Sequence, residues 1–301
     1  MDDEVMILTV RAFSRVVTQR VGALDDRYLA RDRPLAEARV LWEIGDRGRD
    51  VRTLRSRLEL DSGYLSRILR SLEASGLITM TPSQSDKRVR TARLTRKGEA
   101  EWDLLDRRSD ALARSMLAPL GQSQRERLAL AMSEVERLLR AATVEIKQVD
   151  PAHADAQYCL RQYFLELDRR FDAGFNPAAS LPTEPEDMRP PAGLFLVVTA
   201  GDEPVGCGAL KFHGDQPTEL KRMWVSPDMR GLGVGHRLLQ ELERRAAERP
   251  SPTIRLDTNG SLTEAIAMYQ SAGYQAVGAY NDEPYANLWF EKQLGPPVAV
   301  A

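Results

Sequence analysis

The chain has 301 residues, more than one typical core fills, and its 43% hydrophobic and 29% charged residues are the balance of a globular protein. That composition excludes wholesale disorder, a collagen-like chain and a disulfide-stapled scaffold. The formal net charge of −2 hides an asymmetry, because residues 1–145 hold 27 Lys+Arg against 23 Asp+Glu and the remainder 15 against 21. A basic half joined to an acidic half keeps nucleic acid open as a partner of the first. The longest apolar stretch, Leu194 to Val198, is a strand length and far short of a membrane span of about 20 residues. The opening MDDEVMIL is acidic, unlike the basic start of a secretory signal, and two widely separated cysteines suit a reducing cytoplasm as the expected location. Cys159, Cys207, His153, His213 and His236 show no CxxC or HxxxH spacing, so no metal site is predicted.

Apolar residues at helical spacing predict a helix over Val5–Tyr28. Pro34 opens a second over Leu35–Ile44, which Gly45 stops. A short helix over Val51–Leu58 precedes one capped by Asp61 or Ser62, which runs to Ala74 and closes on Gly76. Leu77–Thr95 lacks a helical period and reads as a two-stranded ribbon with a polar tip. Helices resume over Thr95–Leu117 and Ser123–Ala142, broken at Pro119-Leu120-Gly121. From about Val144 short β-branched runs alternate with helices. Strands are predicted at 143–149, 194–200, 204–213, 218–225, 253–258, 274–278 and 286–292. Helices are predicted at 154–171, 233–248 and 262–272, and 174–193 reads as a long loop beside a site. The expected division is 1–142, 143–294 and a disordered tail at 295–301, with no Gly/Ser linker between the first two.

VRTLRSRLELDSGYLSRILRSLEASGLI, residues 51–78, is helix-turn-helix grammar. Leu65, Ile68, Leu69 and Leu72 form an inward stripe on its second helix, which leaves Ser62, Tyr64, Ser66, Arg67 and Arg70 facing outward. Small hydroxyls let a helix approach base edges, and arginines reach phosphate or guanine. The ribbon presents Lys87, Arg88 and Arg90, suited to a narrow minor groove. With Asp86, Arg88, Leu94 and Thr95 following, this region resembles the MarR family of winged-helix repressors over residues 1 to about 145. The resemblance implies an all-α winged helix-turn-helix domain with a β-wing. It further implies a homodimer built from the terminal helices, a pseudo-palindromic double-stranded operator, and a small-molecule effector pocket near the dimer interface. DNA contacts would fall on Ser62, Tyr64, Ser66, Arg67, Arg70, Lys87, Arg88 and Arg90.

In LKRMWVSPDMRGLGVGHRLL a strand ends at Val225, a Pro turn follows, and glycines open a helix. Gly231, Gly233 and Gly235 let backbone come close to a ligand, and successive N–H groups at a helix start form an anion nest. A tight corner alone would also use them. A dinucleotide fold wants a third glycine where Leu238 stands, and a P-loop wants GK[ST], which is absent. Arg230, Gly233 and Gly235 match [RQ]xxGxG, and the region resembles the GNAT acetyltransferase superfamily over about 143–294. That resemblance implies an α/β (α+β) domain whose twisted mixed sheet splays between two central parallel strands, with acetyl-CoA as co-substrate and no metal. Cofactor contacts would come from Met223, Val225, Arg230, Gly231, Leu232, Gly233, Val234, Gly235, His236 and Asn259. AIAMYQSAGY resembles the second GNAT motif and puts Tyr269 near the CoA sulfur, although a half-buried core tyrosine fits the same spacing.

Acetyl transfer to an amine needs proton removal and a proton for the leaving thiolate. Glu219 is the candidate base, since strand parity puts it on the side of Met223 and Val225; alternatively it pairs with Lys221 or Arg255. Asn281, Glu283 and Tyr285 are candidates for an acceptor site. The expected function is a DNA-binding regulator fused to an N-acetyltransferase acting on the amine of a small molecule or protein. Two alternatives stand beside it. One is a transcription factor whose second domain only senses acetyl-CoA, and the other an acetyltransferase that keeps the first domain for dimerisation.

Overall fold

A computed structural model describes residues 2–24, 28–30, 32–82 and 90–295. The chain divides into two units, Met1–Ala131 and Met132–Ala301. In the first, α1 is Asp3–Arg20, α2 Leu35–Ile44, β1 Arg49–Asp50, α3 Val51–Leu58, α4 Ser62–Ala74, β2 Ile78–Pro82, β3 Arg90–Leu94 and α5 Arg96–Leu117. The next helix, α6, is Gln122–Ala142. The boundary therefore falls inside α6, earlier than the expected 142/143. Its last turns pack with the second unit: Arg137 donates to the carbonyls of Asp228 and Arg230, and Ala141 joins that unit's core.

Side-chain caps explain why the short helices start where they do. Asp50 accepts from the Thr53 amide at 2.8 Å to open α3, and Asp61 accepts from Gly63 and Tyr64 to open α4. Gly45 and Gly76, both at positive φ, end α2 and the turn after α4. Helix α1 ends at Arg20 rather than Tyr28, with Gly22 in the left-handed region just beyond. Leu54, Leu65, Ile68, Leu72, Leu77 and Ile78 form the core beneath a sheet of order β1-β3-β2. Thr95 locks the base of the ribbon, donating to the Gly76 carbonyl and capping α5 at the Gly98 amide. Residues 83–89, including Asp86, Lys87 and Arg88, lie outside the described residues, as do 296–301 of the expected tail.

The second unit contains β4 Val144–Gln148, α7 Ala154–Arg170, β5 Gly193–Ala200, β6 Glu203–His213, β7 Gln216–Val225 and α8 Val234–Ala246. It closes with β8 Thr253–Thr258, α9 Thr263–Ser271, β9 Gln275–Val277 and β10 Leu288–Gln293. The sheet order is β4-β5-β6-β7-β8-β10-β9, antiparallel except for the β7/β8 pair. Alternation along β5 sends Leu194, Leu196 and Val198 to the core shared with Leu238 and Leu242 of α8. Phe195 and Val197 go to the opposite core with Cys159 and Leu160 of α7. The predicted long loop contains two short 3-10 turns, Pro177–Ala179 and Pro185–Met188.

Candidate functional site

β7 and β8 pair only at Thr218/Ile254 and Glu219/Arg255, then part. The cause is on the other edge of β7. Cys207 of β6 faces Trp224 and Ala209 faces Lys221, so two residues of β7 oppose Gly208 alone. Arg222 takes up the surplus at φ 55, and a bulge of this kind bends and twists its strand. The gap is a cleft of about 450 Å³. Its lining includes Met223, Val225, Arg230, Gly231, Gly233, Gly235 and His236, all named from sequence.

Gly231 and Gly233 sit at φ 74 and 77, and a Cβ on either would meet nothing within 4 Å, so their need is conformational. Gly235 is a packing glycine, because its Cβ would lie 3.2 Å from the Met268 sulfur. Gly233 is the N-cap of α8 and no side chain caps that helix, so its first N–H groups are available to an anion. Arg230 braces the loop, donating to the Val225 carbonyl at 3.0 Å and to Glu166 Oε2 at 2.5 Å. Two of the expected cofactor residues, Leu232 and Val234, pack their side chains into the core and leave only backbone for a ligand. Asn259 lines the neighbouring cavity instead, where its amide is spent on the Tyr285 carbonyl and the Ser261 amide.

That second cavity, about 90 Å³, lies beside the first. Tyr163, Leu167, Met223, Leu262, Ala265 and Tyr269 line both. The Tyr269 hydroxyl lies 3.7 Å from the Met223 sulfur. Burial, then the nearby Tyr163 and Asp257, push that hydroxyl well above the usual phenol range, so it stays protonated. Phe171, Phe175 and Tyr285 form an aromatic wall with centroid separations of 4.7 to 5.9 Å. Glu283 accepts from the Ser180 hydroxyl and the Leu181 amide, both at 2.8 Å, and pins the loop over the cavity. Of the acceptor candidates, Glu283 and Tyr285 line it, while Asn281 stands behind Asp257 and donates to it at 3.1 Å. Phe171 and Phe175 of the aromatic wall, and Arg222, were not anticipated. They come from a helix end, a loop and a bulge, none of which has a periodic signature.

Glu219 is a correction. The bulge at Arg222 breaks the strand parity on which its assignment rested, so Met223 and Val225 pack toward the α8 core while Glu219 flanks Leu220 on the other side. Glu219 lines neither cavity. It accepts from Arg255 at 2.7 Å, with Lys221 at 3.6 Å and His213 at 3.5 Å. Burial alone would raise its carboxyl; Lys221, the Arg255 hydrogen bond and His213 outweigh that and hold it below the usual range. Besides Glu283, the carboxylate that lines the second cavity with Tyr269 is Asp257. Its donors Lys221, Tyr280 and Asn281 all fall on Oδ1.

In the first unit, Ser62, Tyr64, Ser66, Arg67 and Arg70 are all exposed on one face of α4. The Arg67 guanidinium stands 5.6 Å from the Tyr64 ring centroid. Arg90 shares a groove with Ser66 and Arg70. Lys87 and Arg88 lie outside the described residues.

The Acetyltransferase (GNAT) family model matches residues 160–274, and the MarR family model matches 32–89. The chain is similar to an N-acetyltransferase of Schizosaccharomyces pombe, 34% identical over 103 residues, which are 33% of this chain and 62% of that protein. It therefore spans less than two thirds of that relative. It is also similar to an IAA acetyltransferase of Azospirillum brasilense, 30% identical over 137 residues, covering 44% of this chain and 89% of that protein. Among solved structures, a MarR-family transcriptional regulator from Rhodococcus sp. RHA1 aligns over 41% of this chain and 90% of that one, with 19% identity and a TM-score of 0.35. The cleft on its glycine loop, the splayed parallel pair, the two family models and the Azospirillum relative together show that the chain belongs to the GNAT acetyltransferase family, with a MarR-family region ahead of the acetyltransferase domain.

Proposed function

We propose that the protein is a DNA-binding regulator and an acetyl-CoA-dependent N-acetyltransferase in one chain. The observation that carries the enzymatic reading is the meeting of the two cavities at Tyr269. The pyrophosphate of acetyl-CoA rests on the loop from Arg230 to His236. The thioester reaches the shared wall, and the acceptor amine enters from the smaller cavity. The neutral amine nitrogen adds to the thioester carbonyl, the C–S bond breaks, Tyr269 supplies the proton to the departing sulfur, and the new amide nitrogen gives up one proton. Asp257, whose three donors all fall on Oδ1, receives that proton on Oδ2.

The regulatory reading rests on the exposed arginine and hydroxyl face of α4, which suits a major groove. Its partner is double-stranded operator DNA, and the acting form is a homodimer. Helix α1 supports the dimer: it has no buried residue and exposes Val5, Ile7, Val10, Phe13 and Val16, which a second copy would cover.

Calorimetry with acetyl-CoA, beside an assay for released CoA thiol with a panel of small amines, tests the reading. Wild-type protein is expected to bind acetyl-CoA and release thiol only with an amine. Gly233→Val is expected to abolish binding, because a β-branched residue at φ 77 is strained and fills the cleft. Undiminished affinity in that variant would remove the loop as the cofactor site. Binding with no thiol release from any amine would leave a domain that only senses acetyl-CoA.

A further inference from the structure

The charged groups on the acceptor cavity can be accounted for one by one. Asp257 is paired with Lys221 at 2.5 Å, and Glu283 is held by the Ser180 hydroxyl and the Leu181 amide. Arg222 differs. Its guanidinium carbon stands 5.0 Å from the Phe164 ring centroid and 5.9 Å from that of Tyr163. The Tyr163 side chain lies close to it, but among the described residues no carboxylate pairs with it. It is half-buried, and a partly desolvated charge gains by acquiring a counter-charge.

Its backbone makes the same point independently. Arg222 sits in the left-handed region at φ 55, where a residue with a Cβ is strained. A glycine would form the same bulge at lower cost, so an arginine there is explained by its side chain. Arg222 lines the acceptor cavity and does not line the cofactor cleft. An anion served by Arg222 is therefore not the pyrophosphate. The guanidinium stands beside two α7 rings, and its planar fork suits a planar carboxylate.

Resting on the acetyltransferase reading, we propose that Arg222 binds a carboxylate of the acceptor. The substrate class is then a small amino-carboxylate, with an apolar or flat side chain against Phe171, Phe175 and Tyr285. Its amine is left neutral and free to attack the thioester, while its negative charge is what the site recognises.

The experiment compares phenylalanine, tryptophan and methionine, each against its decarboxylated amine, as acceptors with acetyl-CoA. Arg222→Asn is the variant, because asparagine tolerates the left-handed backbone. In wild type, kcat/KM for at least one amino acid is expected to exceed that of its amine by about tenfold or more. In Arg222→Asn the amino acid is expected to lose about tenfold to a hundredfold, and its amine much less. Calorimetry with acetyl-CoA reads whether the fold and cofactor loop remain intact. Calorimetry of the amino acids on the CoA-bound protein gives a readout without turnover; binding to wild type that Arg222→Asn loses supports the inference even if no acetyl group moves. Two results would overturn it with acetyl-CoA affinity intact: amines used as well as all three amino acids, or equal losses for both in Arg222→Asn. Failure of acetyl-CoA to bind wild type would instead remove the acetyltransferase reading on which the inference rests.

Discussion

Glu219 and Tyr269 show how much a single side chain's surroundings decide. Glu219→Gln keeps the shape but leaves Arg255 without its carboxylate, while Lys221 keeps Asp257, and is expected to cost about 1–3 kcal/mol at neutral pH. Its folded carboxyl lies below the ordinary value, so the stabilisation is fully present above the unfolded value of about 4.3 and fades as pH falls through the lower folded one. Urea unfolding should therefore show a gap between wild type and Glu219→Gln at pH 7 that narrows in acid; a constant gap would contradict the ion-pair assignment. In the same variant the acid limb of the kcat/KM profile should persist, since Glu219 touches neither cavity. Tyr269→Phe removes one hydroxyl whose bonded partner is a thioether. It is expected to lower kcat by about a hundredfold while KM changes little, as befits a proton donor that acts in the transition state. Turnover at the wild-type rate would assign that proton to water.

Caps, glycines and alternation set the helices and strands, and those were the legible part. α2, α3 and α4 run over the residues that Gly45, Leu58 and Asp61 with Ala74 delimit in the sequence, because each cap is a local event. The Gly231–Gly233–Gly235 loop was legible for the same reason. β1 was not, since two residues cannot show alternation. Nor was Gly98, where a Cβ would come within 1.9 Å of the Leu77 carbonyl oxygen, a clash that only the packed ribbon and α5 create. The bulge in β7 was the costliest omission. One surplus residue reverses parity beyond it, which puts Glu219 on the face opposite Met223 and Val225 and Arg222 on the wall of the smaller cavity. On α4 the inward Leu65, Ile68, Leu69 and Leu72 are buried as expected, so the outward face can be tested directly. Arg67→Ala leaves that core untouched and is expected to weaken duplex binding; if Arg67 meets phosphate, the slope of log affinity against log salt should fall by about one. Unchanged affinity and slope in a gel-shift series at several salt concentrations would take α4 out of the interface.

A MarR-family region and an acetyltransferase domain on one chain raise the question of whether either feels the other. The chain passes from the first unit to the second inside α6, and β4 begins at Val144. A winged-helix dimer holds two recognition helices at a spacing matched to about one turn of DNA, so a small change at helices that set this spacing alters affinity. A ligand that favours one arrangement of α6 would act on both functions. The expected outcome is that saturating acetyl-CoA with acceptor lowers operator affinity. Linkage then requires DNA to lower the affinity for those ligands by the same factor, which for ordinary couplings is about 5- to 150-fold. The measurement is operator binding by the full chain with acetyl-CoA alone, acceptor alone and both, followed by acetyl-CoA calorimetry with and without operator. Gly233→Val supplies the control, because a cofactor effect on DNA that survives in it cannot pass through the cleft. Reciprocal shifts of equal size would mean a regulator that releases its operator when its own substrate accumulates and regains it as acetylation removes that substrate. Operator affinities identical under every condition would mean two independent modules that share only a helix.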